Sequence, residues 1–213
     1  MIRPSFSRRC RLCAAAVLLT LAAGCGALRP TTPQPSFYSL DSAWGAAPAP
    51  APAAAPTLIV NPTQAAAGYD SQRIIYVREA HKLEYFAHSE WIDTPARMLA
   101  PLVVAAVQNS GTFRAVVLTP SAATGDLRLD TEIMRLQHEF SSQPSRVRFT
   151  LRAYLVDNKT RRVLAWREFD AAVPAASEDP YGGVVAANRA VQIVLEDLSA
   201  FCADAARSKV TGK

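Results

Sequence analysis

Histidine and cysteine are scarce in this 213-residue chain, at three and four, and their placement removes most of the chemistry they would support. His81 and His88 differ by seven, so in an extended segment they point to opposite faces. His138 has no cysteine or second histidine at ligand spacing. A structural or surface role is expected for all three. The serine-rich stretches contain no G-x-S-x-G, and Gly182-Gly183 lacks the Lys-Ser/Thr of a phosphate-binding loop. Glu168 and Asp170 share one face of an expected strand and read as solvated charges rather than as a glycosidase pair. The chain is therefore not read as an enzyme, and no cofactor or metal is expected.

A lasting excess of basic charge is missing as well. The formal net charge of +5 invites a nucleic-acid reading, but Arg3, Arg8, Arg9 and Arg11 precede an uncharged run from Leu12 to Ala23. A basic start, a short apolar run and a small-residue exit make a secretory signal, too short to span a bilayer. Removing residues 1–24 removes four arginines and no acid, leaving 19 Lys and Arg against 18 Asp and Glu, a net of +1. No nucleic-acid partner is expected.

The signal ends in LAAGC, residues 21–25, which resembles a bacterial lipobox. There a signal peptidase cuts before the cysteine, whose sulfur carries a diacylglycerol. Ala22 stands where leucine is preferred, with Leu21 one place earlier. The alternative is an ordinary secretory signal cut nearby, leaving Cys25 as a free or disulfide-bonded thiol. With Cys10 and Cys13 in the signal and Cys25 acylated, only Cys202 remains, and no intramolecular disulfide is possible. Cys202 is expected to pack as a small apolar residue in a helix. Two or more acyl chains, at about 0.8 kcal/mol per buried methylene, hold a protein stably on a membrane. Gly26 follows the cysteine, in place of the Asp that commonly retains lipoproteins in the inner membrane, so that resemblance implies the outer membrane and a periplasm-facing domain.

One domain is the default at this length. Residues 25–35 are expected to form a lipidated tether, 36–205 the domain, and 206–213 a tail, with an Ala/Pro-rich loop at 46–56 inside the domain. Phe37, Tyr38 and Leu40 form an apolar island amid prolines, which a free linker would not hold together. It predicts a first strand over residues 37–40, added to the edge or middle of a sheet. The tether then shortens to residues 26–35, roughly 30 Å at about 3.1 Å per residue if polyproline-like.

Thr57–Val60 reads as a buried strand ended by Asn61-Pro62, and residues 74–77 and 83–86 as the arms of a hairpin. A helix is expected from Asp93-Thr94-Pro95 to Ser110-Gly111, with Pro101 either kinking it or starting its regular part. Residues 113–118 form the next strand. From Asp126 the apolar positions alternate, and their parity switches near Ile133-Met134, which calls for a bulge or strong twist. Val147, Phe149, Leu151, Ala153 and Leu155 make the clearest strand, turned back at residues 157–160 into Val163–Val173. The last element is a helix from Asp179-Pro180, with Val184, Ala187, Val191, Val194, Leu195, Leu198 and Phe201 on one face. The fold class is α/β: a single domain with a mixed, mostly antiparallel sheet packed by at least two helices, an α/β sandwich.

Arg146, Arg148 and Arg152 project from the polar face of their strand and are candidate contacts for anionic headgroups or an acidic partner. The competing reading is a charge-balanced face, with Asp126, Asp130 and Glu132 opposite them on the preceding strand. Tyr85 and Trp91 are candidate contacts in the aromatic set; only aromatics left outside the core could form an assembly surface.

The series formed by the lipobox, Phe37-Tyr38-Ser39-Leu40, Tyr69-Asp70-Ser71-Gln72-Arg73-Ile74, Leu83-Glu84-Tyr85-Phe86, Trp91-Ile92-Asp93-Thr94-Pro95, Ser110-Gly111-x-Phe113, residues 127–133 and the late Asn188 helix resembles the ABC-type transport auxiliary lipoproteins. The resemblance implies an outer-membrane lipoprotein that works with an ABC transporter or permease and an MCE-domain protein, moving phospholipids or other hydrophobic compounds between membranes. It also implies a homo-oligomeric ring as a candidate assembly, and it carries over no catalytic residue, only Cys25. The alternative function is a structural or assembly lipoprotein of the cell envelope without a transporter partner.

Overall fold

The computed structural model describes residues 34–41 and 51–210, so Cys25, the tether up to residue 33 and part of the Ala/Pro run lie outside the described residues. Among the described residues nine strands and two helices follow one another as β1 (Ser36–Tyr38), β2 (Thr57–Val60), β3 (Gln64–Ala65), β4 (Arg73–Val77), β5 (Glu84–Trp91), α1 (Pro95–Asn109), β6 (Ala115–Leu118), β7 (Leu127–Glu139), β8 (Arg146–Asp157), β9 (Val163–Pro174) and α2 (Pro180–Val210). All strands join one sheet, and its spine is β7. On one side β7 pairs antiparallel with β8, which pairs antiparallel with β9. On the other side β7 takes β2, β3 and β4 in turn as parallel partners. Beyond these, β6 adds to β2, β5 adds antiparallel to β4, and β1 adds parallel to β5 at the rim. The parallel pairings are short, so by paired length the sheet is mostly antiparallel.

The parity switch has its physical cause in a bulge. Pairing with β8 runs in register from Leu127 to Ile133, then shifts by one residue before Arg135, leaving Met134 as the extra residue. Leu127, Leu129, Thr131 and Ile133 are buried before the bulge, and Leu136 and His138 after it. Without the bulge the second half of β7 would turn its apolar set outward. The five alternating positions of β8 are all buried beneath α2.

Both helices lie in the same core. The apolar stripe of α2 packs on β8 and β9, and α1 packs on β2, β6 and α2, with Ser199 donating to the Ala106 carbonyl at 3.0 Å. α1 runs through Pro101, which is exposed, so the carbonyl it leaves without a donor falls on the outer side of the helix. At the start of α2, Asp179 accepts from the Gly182 amide at 2.7 Å, the cap that its position predicts. The helix continues to Val210 with Ala206 buried, past the boundary expected at 205. Cys202 is buried within it.

The island near residue 37 is a strand. β1 lies parallel to β5, with Phe37 beside Glu90 and Tyr38 beside Trp91, and the Ile92 amide donates to the Tyr38 carbonyl at 2.7 Å. Leu40 then enters the core. The chain there is clamped by Asn188 of α2, whose side-chain amide accepts from Asp41 N–H at 2.5 Å and donates to the Ser39 carbonyl at 3.2 Å.

Candidate functional site

The three histidines separate on folding. His81 sits exposed in the β4–β5 turn with a left-handed backbone (φ 66°), and His88 is exposed on β5. His138 is buried, with Nε2 2.7 Å from Ser145 Oγ, itself fully buried. The Ser145 amide donates to Glu178 Oε1 at 2.8 Å, so one small network ties the β7–β8 turn to the segment leading into α2. Burial of the ring holds the His138 pKa below its ordinary value, against the opposing charges of Glu178 and Asp179. Gly183 packs over the ring, and a Cβ there would lie 2.5 Å from Nδ1. The adjoining cavity, lined also by Ile74, Trp91 and Val147, holds about 10 Å³, the size of roughly one water. The histidine and serine are both buried, and the pair acts as a structural latch between the β7–β8 turn and the segment leading into α2.

The arginine ladder is real, and its partners differ from those expected. Arg152 pairs with Glu168 at 2.9 Å; Arg148 lies 3.5 Å from Glu139 and 3.7 Å from Asp170; Arg146 pairs with Glu139 at 3.2 Å. Arg148 and Arg152 have carboxylates on both flanking strands, whereas Arg146 has Glu139 on β7 alone and stands beside Pro174 of β9. Glu132 does stand beside Arg152 in register, but Arg152 turns to β9. Asp130 is taken by Arg128 and by the Asn61 amide, and Asp126 accepts from the Thr57 amide. The face is charge-balanced, and Glu168 and Asp170, solvent-exposed as expected, are partners in it. Such half-exposed pairs, screened by solvent, contribute little to stability.

Trp91 is corrected outright: at 3% exposure it is a core residue, turned inward at the end of β5 and unable to meet a partner. Tyr85 stays outside at 50%, with the Arg73 guanidinium 4.0 Å above its ring. The alternation of β5 decides between them, since residues six apart share a face only in an undisturbed strand, and a register shift lies between Arg73 and Ile75 on the paired strand. Together with Phe37, Leu83 and Ile92, Tyr85 gives the β1–β5 rim an apolar surface. Among the described residues no cluster of His, Cys, Asp and Glu converges to hold a metal, and no helix is long and apolar enough to cross a membrane.

A further exposed stretch went unread in the sequence. The turn after β8 and the start of β9 place Lys159, Arg161, Arg162, Val163, Leu164 and Trp166 in solvent. The signal was available as a basic turn running into an apolar strand start, but strand periodicity alone treats those apolar residues as core.

The protein XCC0632 from Xanthomonas campestris is similar in structure, with 23% identity and a TM-score of 0.70 over 83% of this chain and 99% of that one. A crystallised uncharacterised protein is similar at 11% identity and a TM-score of 0.63, over 79% of this chain and 99% of that one. At these identities the likeness bears on the fold alone. No curated protein matches the chain. The family model described as "ABC-type transport auxiliary lipoprotein component" matches residues 38–199, from β1 into α2. That family is defined by transport and lipid attachment and is not a class of enzymes. The chain belongs to the ABC-type transport auxiliary lipoprotein components.

Proposed function

We propose that this chain is lipidated at Cys25, held on the outer membrane facing the periplasm, and serves as the docking part of an ABC/MCE-type intermembrane transport system. Its cargo is phospholipid or another hydrophobic compound. The observation that carries the reading is the family match across the folded domain, read with the lipobox ahead of it.

The mechanism is positional. Acyl chains confine the domain to one leaflet and its surface meets the end of a bridging partner, so a weak contact is strengthened by high effective concentration. Sheet edges support a ring of copies: among the described residues β9 pairs only with β8, and β6 only with β2, leaving an unpaired side on each. Crosslinking and pull-down from the native membrane tests the partner, with an MCE-domain protein expected among the products. Its absence from a preparation that retains the ABC transporter counts against the docking role. Cys25→Ala is expected to fold normally and leave the membrane; normal transport by that soluble form would refute tethering.

A further inference from the structure

From Lys159 to Leu164 every side chain is exposed, and Trp166 follows at 62% exposure. Lys159, Arg161 and Arg162 make no ion pair among the described residues, and neither does Arg167, whose guanidinium lies 5.5 Å over the Phe169 ring. The acids nearby are engaged elsewhere. Asp157 pairs with Lys209 at 2.8 Å and accepts from the Lys159 and Thr160 amides; Glu168 holds Arg152; Asp126 holds the Thr57 amide.

The tip is also pre-formed. The Arg161 amide donates to the Asp157 carbonyl and the Asp157 amide to the Arg162 carbonyl, both at 2.8 Å, while Asn158 Nδ2 donates to the Gly125 carbonyl at 3.0 Å. Arg161 takes a left-handed backbone, φ 61°. A shift in register between Leu155 and Val156 interrupts the pairing opposite Leu164 and leaves Val163 and Leu164 outside the core. Such a bulge re-aims side chains without ending the strand. Trp166, beyond it, stacks on Tyr154 with ring centroids 6.3 Å apart.

We propose that this β8–β9 tip is a second membrane contact, in which Lys159, Arg161 and Arg162 meet the headgroups of an anionic leaflet while Val163, Leu164 and Trp166 enter its interface. Basic residues next to an anionic surface are attracted to it, and tryptophan settles at headgroup depth. Unpaired cations adjoining exposed apolar side chains fit a surface that supplies anions and an apolar layer side by side. An acidic peptide would match the cations and leave Val163, Leu164 and Trp166 in water. A second copy meeting this tip with its own would bring like charges together. The contact rests on the reading that Cys25 holds the chain on a membrane, and would fix how the tethered domain stands on it.

The test uses the lipidated protein in vesicles of phosphatidylcholine with or without phosphatidylglycerol, each with brominated acyl chains, and reads tryptophan quenching. Trp91 is buried, and Trp44 is subtracted with W166F. In phosphatidylglycerol vesicles a Trp166 component is expected to be quenched, and to be roughly halved or more in the triple variant K159E/R161E/R162E and in high salt. All the substituted side chains are exposed, and circular dichroism confirms an unchanged fold. Protein that floats with the vesicles yet shows no quenching beyond W166F overturns the tip contact and leaves tethering intact. Equal quenching with and without phosphatidylglycerol also overturns it. Protein that does not float overturns the tethering reading, and the proposal with it. Dissociation of an oligomer by W166F in light scattering assigns the tip to a second copy and overturns the lipid contact.

Discussion

Asn188→Ala separates the role of β1 from that of the core. Asn188 is half-buried on α2, and its side chain makes two bonds across the fold, accepting from the Asp41 amide and donating to the Ser39 carbonyl. A third bond, to the Val184 carbonyl one turn back, is local to the helix. At about 0.5–1.5 kcal/mol net per hydrogen bond, losing the two long-range bonds costs about 1–3 kcal/mol. Alanine returns about 0.5 kcal/mol through helix propensity. The difference falls on the segment from Ser36 to Asp41, whose other contacts are its short pairing with β5, the burial of Leu40, the packing of Tyr38 on the core and 6.5 Å from the Tyr181 ring, and a weak Leu40 amide contact to Met98 Sδ at 3.5 Å. A net loss near 1.4 kcal/mol corresponds to about tenfold more frequent opening. Hydrogen exchange reads this at the Ile92 amide, whose acceptor is Tyr38 and whose own bond the substitution does not touch. Exchange at Ile92 is expected to quicken about tenfold, with Leu129 and Leu151 in the central strands unchanged. Unaltered exchange at Ile92 would refute the claim that Asn188 holds β1 to the sheet, and uniform acceleration would refute its confinement to that segment.

Gly183→Ala is expected to destabilise by about 1–3 kcal/mol in thermal or urea unfolding, because the added Cβ would meet His138 at 2.5 Å and outweigh the helix preference for alanine; a rise in Tm would contradict this. His138 is neutral and buried with its pKa below the ordinary 6.5, through desolvation. The unfolded chain therefore takes up the proton first as pH falls, so the stability His138 contributes is complete above about pH 6.5 and is lost as pH falls from there through its folded value. His138→Gln should flatten that slope in denaturant titrations at a series of pH values. Trp91→Ala is expected to cost about 3–5 kcal/mol and Tyr85→Ala about 1 kcal/mol or less, compared by urea midpoints. Burial pushes the Cys202 thiol up to about 12, so a thiol reagent near neutral pH should label the delipidated native protein at Cys202 only as fast as it unfolds.

What the sequence made legible was whatever one element decides for itself. The alternation of β8, the parity change in β7 and the apolar stripe of α2 are periodicities that burial enforces residue by residue, and each recurs in the fold. The strand at Ser36–Tyr38 was legible for a related reason, since Tyr38 and Leu40, apolar residues beyond the prolines, leave water by joining the sheet and core, although Phe37 stays exposed. The order of strands in the sheet was not legible. β7 has parallel partners at residues 127–129, 132–133 and 138–139, and those pairings join segments separated by about sixty to seventy positions in the chain. No local pattern records them.

The candidate surface shows the same division at the level of single side chains. Alternation placed Arg146, Arg148 and Arg152 correctly on the polar face, but partner choice depended on β9, whose register brings Glu168 beside Arg152 and Asp170 beside Thr150. Thr150 donates to that Asp170 carboxylate at 2.6 Å, which anchors it within reach of Arg148. Tyr85 and Trp91 lie on one strand, and their opposite fates follow from which neighbours cover each end of it. β1 pairs with the Trp91 end and Gly183 and Ala187 of α2 line the cavity that Trp91 borders, whereas the pairing of β1 stops at Ser89, short of Tyr85. The exposed tip after β8 is the converse case. Val163, Leu164 and Trp166 read as ordinary strand residues until the outer edge of β9 proves to have no partner among the described residues and the bulge turns Val163 and Leu164 out of the core. Surface character in this fold is therefore set by sheet edges and bulges, and the residues best placed to meet a membrane or a partner are those whose periodicity promised the core.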